Sequence, residues 1–124
     1  MMDADVLLFF SGHEAALPLY EKLIRLIETE IADVKIKVSK TQIGFYNKRL
    51  FGCVSFLRVR KAQGPYITVT LGLGYRLENA RIDAVSEPYP NRFTHHIMIE
   101  NETQIDAELL GFIKEAAAFS ASKR

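Results

Sequence analysis

Tyr66-Ile67-Thr68-Val69-Thr70-Leu71-Gly72-Leu73 decides the fold. Ile67, Val69, Leu71 and Leu73 recur at every second position, so they share one face of an extended strand and leave the polar and small residues on the other. The same period occurs upstream. Ile43 and Phe45 alternate with Gln42, Gly44 and Tyr46, and Ile36 and Val38 with Lys35 and Lys37. Asn47-Lys48-Arg49 and Gln63-Gly64-Pro65 are the turns, short enough to make the pairing antiparallel. Residues 50–59 are apolar on both faces until Leu57-Arg58-Val59-Arg60 restores the alternation, which predicts a central strand. Residues 77–92, with Pro88 and Pro90, read as a connection holding a turn of helix, and residues 95–100 as a last strand.

Helices flank this region. Ser11 and Glu14 have the spacing of a capping box, and Leu17, Tyr20, Leu23, Ile24, Ile27 and Ile31 then recur three or four apart as one apolar stripe. Pro18 predicts a kink, or a helix that begins there. Thr103 caps a final helix with Leu109, Leu110, Ile113, Ala116 and Ala117 facing inward. The apolar run of residues 6–10 packs as an extended segment or first turn. The order defines a two-layer α+β fold: an antiparallel sheet of about four to five strands with two main helices on one face. Residues 1–124 make a single domain, long enough to bury roughly two thirds of its unfolded surface.

Charge is unevenly distributed along the chain. The formal net charge is +1, yet all 15 carboxylates lie at residues 3–33 and 78–115. Residues 34–77 carry only cations: Lys35, Lys37, Lys40, Lys48, Arg49, Arg58, Arg60, Lys61 and Arg76. Such separation creates a local field despite the balanced total. With both helices on one face, period-two counting gives the other face Lys35, Lys37, Gln42, Tyr46, Phe56, Arg58, Arg60, Tyr66, Thr68, Thr70 and His96. Cations track phosphates and aromatic rings stack bases, so this composition suits single-stranded nucleic acid or another polyanion.

Catalytic chemistry finds little support. His95 and His96 are adjacent on a strand and point to opposite faces, so they do not share a metal, and no metal site or cofactor is expected. His95 shares the face of Ile97 and Ile99 and reads as a core-edge residue, His96 as accessible. Cys53, in Phe51-Gly52-Cys53-Val54, has an apolar setting that raises a thiol pKa. No nucleophile elbow is present, and Gly72-Leu73-Gly74 lacks the third glycine of a phosphate loop. One cysteine allows no internal disulfide and favours a reducing compartment, so the expected location is the cytoplasm. Residues 6–10 are too short to span a bilayer, and Asp3 and Asp5 precede them where a signal peptide would carry cations; no membrane association is expected.

Nearly the whole chain resembles the bacterial family known as domain of unknown function 5655. The resemblance rests on Leu19-Tyr20-Glu21, on Val38-Ser39-Lys40-Thr41-Gln42-Ile43-Gly44-Phe45, on Leu71-Gly72-Leu73, and on Asn91-Arg92-Phe93-Thr94-His95-His96 followed by a strand and an acidic-capped helix. It implies no established activity. Some family members resemble a unit attached to a nuclease-like domain, which tilts the expectation towards nucleic acid.

The sequence therefore points to a non-catalytic binding module for a polyanion, with nucleic acid as one such partner. Lys40, Arg58, Arg60, Arg92 and His96 are the candidate contacts and Tyr46 and Tyr66 the candidate stacking rings. One alternative is a small-anion or enzymatic pocket where Arg92, His96 and Lys40 meet. Another makes the open face, with Val54 and Phe56, a homodimer interface. Where residues 77–92 lie bears on all three.

Overall fold

The computed structural model describes residues 3–122. Its centre is β4 (Ile67–Leu73), the strand with the clearest alternation, flanked on each side by further strands. On one side lie β3 (Leu50–Ser55), β2 (Ile43–Tyr46) and β1 (Lys35–Val38); on the other lie β6 (Arg92–Ile99) and β5 (Ala84–Tyr89). The order is β1-β2-β3-β4-β6-β5, and every neighbouring pair is antiparallel.

The register defines two faces. Val38, Ile43, Val54, Val69 and Ile97 form one continuous cross-strand row, and Ile36, Phe45, Gly52, Leu71, His95 and Val85 another. These rows face α2 (Leu17–Glu30) and α3 (Ala107–Ser122), whose Leu19, Tyr20, Leu23, Ile27, Leu109, Ile113 and Ala116 complete a single buried cluster. Burying this many aliphatic side chains, each contributing roughly 1.5–3 kcal/mol, is what holds the two layers together. The fold is thus α+β and two-layered, with six strands rather than four or five.

Local chemistry explains the departures from expectation. Residues 6–10 fall largely in a short helix, α1 (Ala4–Phe9), which Asp3 caps by accepting from the Asp5 amide at 2.9 Å. Val6 and Phe10, four apart, are its buried contacts. Ser11 caps nothing; Glu14 accepts from the Gly12 amide instead, a 3-10 turn occupies Glu14–Ala16, and α2 starts with Pro18 in its first turn, where a missing amide is harmless. At the other end Asn101 and Gln104 form a reciprocal cap on the 3-10 turn Glu102–Gln104. Asp106, rather than Thr103, caps α3 by accepting from the Leu109 amide at 3.0 Å.

The sixth strand comes from residues 77–92. β5 extends the sheet sideways at its edge, where Pro88 breaks no ladder that matters, and Pro90-Asn91 turns the chain into β6 with Asn91 at φ 63°. This segment therefore does not lie over the second face. β3 is also shorter than expected. It ends at Ser55, and residues 56–66 leave the sheet and cross its second face near Thr68 and Met98. The Thr68 hydroxyl donates to the Leu57 carbonyl (2.5 Å), the Tyr66 hydroxyl to the Phe56 carbonyl (2.8 Å), and Arg60 reaches the Met98 carbonyl (3.3 Å). Thr68 and Met98 are buried beneath this crossing.

Candidate functional site

What remains of the second face is built by two neighbouring rows of the register. Lys37, Gly44, Cys53, Thr70, His96 and Ala84 form one row straight across the sheet, with Lys35 and Tyr46 beside it at the β1 end and Gly72, Thr94 and Ser86 at the β5 end. No described carboxylate occupies a paired position of this face. The acid-free stretch of sequence accounts for β1 through β4, and the paired residues that β5 and β6 turn to the same side include no carboxylate.

Tyr46 lies flat on the sheet. A Cβ added at Gly44 would stand 2.8 Å from Cε1 of that ring, so the absence of a side chain there gives the ring its seat. The Lys37 ammonium sits 5.0 Å from the ring centroid, a cation–π contact that holds both groups on the face. Lys48 and Arg49 follow in the β2–β3 turn. That turn is fixed to α3, since Asn47 Nδ2 donates to the Ala117 carbonyl (2.7 Å) and the Ser120 hydroxyl donates to Asn47 Oδ1 (2.7 Å).

At the centre, Thr70 Oγ1 is 2.9 Å from His96 Nδ1, and the Thr70 hydroxyl also meets the Cys53 thiol. Burial pushes the Cys53 pKa up, which keeps the sulfur a neutral thiol and a poor nucleophile. Burial, followed by the proximity of His95, pulls the His96 pKa down, so this imidazole is uncharged near neutrality and offers hydrogen bonds rather than a positive charge. His95 points the other way and is buried in the core. Its Nε2 accepts from the Leu77 amide at 2.9 Å, while Nδ1 has no hydrogen-bond partner. No group of three or more metal-ligating side chains exists among the described residues.

The expected contact residues are distributed unevenly. Tyr46 and His96 share the face. Phe56 does not; β3 carries Gly52 and Val54 on the helix side, and Phe56 continues that parity to pack against Phe9, Phe10 and His13. Arg58 is exposed on the 56–66 crossing, and Tyr66 is tied by its hydroxyl to that crossing just before β4. Arg60 is committed elsewhere: Nε donates to Asp83 (2.8 Å) and Nη1 to Glu100 (2.6 Å), which neutralises it at the rim. Arg92 lies against the Phe119 ring of α3, 5.8 Å from its centroid.

Lys40, Arg92 and His96 are not brought together. Lys40 is in the β1–β2 turn, at the end of the sheet where Val38 pairs with Ile43, whereas Arg92 starts β6 at the opposite end. Between β2 and β6 lie three strand spacings, about 14 Å. The pocket they were expected to form is therefore absent. Lys35 and Lys37 are the cations that the structure does place beside Tyr46, and their alternation with Ile36 and Val38 was the signal for it. The Arg60 clip had no signal in the sequence, because Asp83 and Glu100 are brought to it only by the β4-β6-β5 order.

A two-layer α+β domain with one sheet face covered by helices and no described carboxylate at the paired positions of the other is the class these features define. The chain belongs to the family described as domain of unknown function (DUF5655), whose model matches residues 8–120. No curated protein and no solved structure matches it significantly. Among the described residues no helix is long and apolar enough to cross a membrane.

Proposed function

We propose that the chain is a non-catalytic binding module whose second sheet face takes a polyanion, with single-stranded nucleic acid as the leading class. The observation that supports this reading is the lack of any described carboxylate at the paired positions of that face. A phosphate chain laid across it meets Lys35, Lys37 and Lys48 without passing an opposing charge. The Tyr46 ring beside it provides a surface for a base, a stack worth roughly 1–3 kcal/mol. Thr70, Thr94 and His96 add hydrogen-bonding groups suited to a single strand. Cys53, a buried neutral thiol, suits a reducing compartment, and the cytoplasm is the location proposed. On this reading the face is occupied by ligand rather than by a second copy.

The test is fluorescence anisotropy with a labelled oligothymidylate across a salt series. Three phosphate contacts give a slope of log affinity against log salt of about −2, at roughly 0.7 per contact for a single strand. Lys35→Gln with Lys37→Gln reduces its magnitude by about 1.4 and weakens binding at about 50 mM salt by roughly 60-fold. No binding at about 20 mM salt, or an unchanged slope in the double variant, overturns the proposal.

A further inference from the structure

We infer that a second site, separate from the sheet face, binds a small organic acid with an apolar body in the cleft between α1 and the β1–β2 turn. The cleft has a volume of about 680 Å³, within the range of small-molecule sites. It opens in the helix layer, because Val38 belongs to a helix-facing row and Phe56 packs on that side. It is thus on the other side of the sheet from Lys35 and Lys37.

Its chemistry has two poles. Leu8, Phe9, Val38 and Phe56 form the apolar wall. The Phe56 ring is held rigid between Phe9, stacked at 5.0 Å, and His13, stacked at 3.9 Å with the planes 12° apart. Leu8 is 75% exposed, a large apolar side chain facing water at the mouth of a cleft. Lys40 lines the same cleft, and Ser39 beside it is held in its own turn, its hydroxyl donating to the Gln42 carbonyl at 3.0 Å. Lys40 makes no ion pair with any described carboxylate. Asp5 and Ser11 complete the lining. An ammonium with no ion-pair partner among the described carboxylates, in a cleft with a rigid apolar wall, is complementary to a carboxylate carried on a hydrocarbon body. The acid head meets Lys40, and the body covers Leu8 and the outer surface of the Phe9–Phe56–His13 stack.

The experiment is a ¹H–¹⁵N correlation titration of the whole chain with two carboxylates, 1-naphthoate and octanoate, whose relative affinity tells a flat body from a flexible one, and with the neutral 1-naphthalenemethanol. The expected result is a set of shifts centred on residues 8–13, 38–40 and 56, at least about tenfold tighter for naphthoate or octanoate than for the alcohol. Lys40→Met weakens the acid about five- to tenfold and leaves the alcohol unchanged. Leu8→Glu, an exposed change that spares the core, weakens the acids by a similar factor. Lys35→Gln with Lys37→Gln leaves both acids unaffected while lowering the salt slope of the sheet face by about 1.4, so the two sites fail or succeed separately. Shifts absent up to about 5 mM, equal affinity for acid and alcohol, or indifference to Lys40→Met overturns the inference.

Discussion

Arg60→Ala separates a structural cation from a ligand-binding one. The guanidinium donates through Nε to Asp83 (2.8 Å), through Nη1 to Glu100 (2.6 Å) and to the Lys61 carbonyl (3.0 Å), and through Nη2 to the Met98 carbonyl (3.3 Å). It pins the 56–66 crossing to β6 and to the start of β5. Truncation strands two carboxylates, but each keeps a backbone donor: the Met98 amide on Asp83 and the Gln63 amide on Glu100, both at 2.7 Å. Breaking a fully buried pair costs roughly 3–5 kcal/mol. Here the arginine side chain is 34% exposed and its partners 17% and 19%, so water screens part of the interaction and solvates what is left behind. The expected loss is about 2 kcal/mol, or about 8 °C in Tm for a chain of this size. Urea unfolding followed by far-ultraviolet circular dichroism measures it. The salt slope of oligonucleotide binding should stay within about 0.3 of the parent, because this guanidinium has no free face for a phosphate. A stability change below about 0.5 kcal/mol, or a slope reduced by a full contact, refutes the reasoning.

Three further outcomes follow from other contacts. Glu100 is held below the usual carboxylate range by the Gln63 amide and then by Arg60, and Asp106 by the Leu109 amide and then by Arg81. A depressed folded pKa stabilises above the unfolded value near 4.5 and 3.8 respectively and loses that contribution as pH falls through the folded one. The acid limb of a pH–stability curve should therefore flatten in Arg60→Ala. Burial lowers the His95 pKa from 6.5 against the pull of the Leu71 and Phe93 carbonyls, so the neutral form stabilises fully above 6.5 and stability declines as pH drops below it. His95→Met should reduce that decline, leaving the part due to His96; an unaltered curve between about pH 5 and 6.5 contradicts the assignment. Gly44→Ala places a methyl 2.8 Å from the Tyr46 ring and 3.1 Å from Leu50 Cδ1, which lifts the ring off the sheet. Unfolding should show a cost of about 1 kcal/mol, and oligonucleotide affinity should fall several-fold as the stacking surface is lost. Unchanged affinity would mean that Tyr46 takes no part.

Much of the layer architecture was legible in the residues themselves. Period-two apolar positions at 36–38, 43–45 and 67–73 fixed which side chains face the helices, because a pleated strand leaves each residue only one of two sides. The stripe of α2 and the inward set of α3 followed from the 3.6-residue repeat, and the acid-free stretch marked the strands with no described carboxylate at the paired positions of their second face. β5 escaped notice because it has no repeating pattern: only Ala84 and Val85 are half-buried, and the rest of an edge strand faces water. The parity of Phe56 was lost where apolar residues filled both faces of β3 and removed the alternation that reports direction.

The sequence alone determined the class of fold, the side on which the core lies and the segregation of charge, since these depend on local periodicity and composition. Tertiary structure alone decided which cations stay free. The β4-β6-β5 order carries Asp83 and Glu100 to Arg60, and the length of the sheet separates Lys40 from Arg92. Ion pairing depends on distances of a few ångströms between groups far apart in the chain, and such distances are set by strand order and register, which no local pattern encodes.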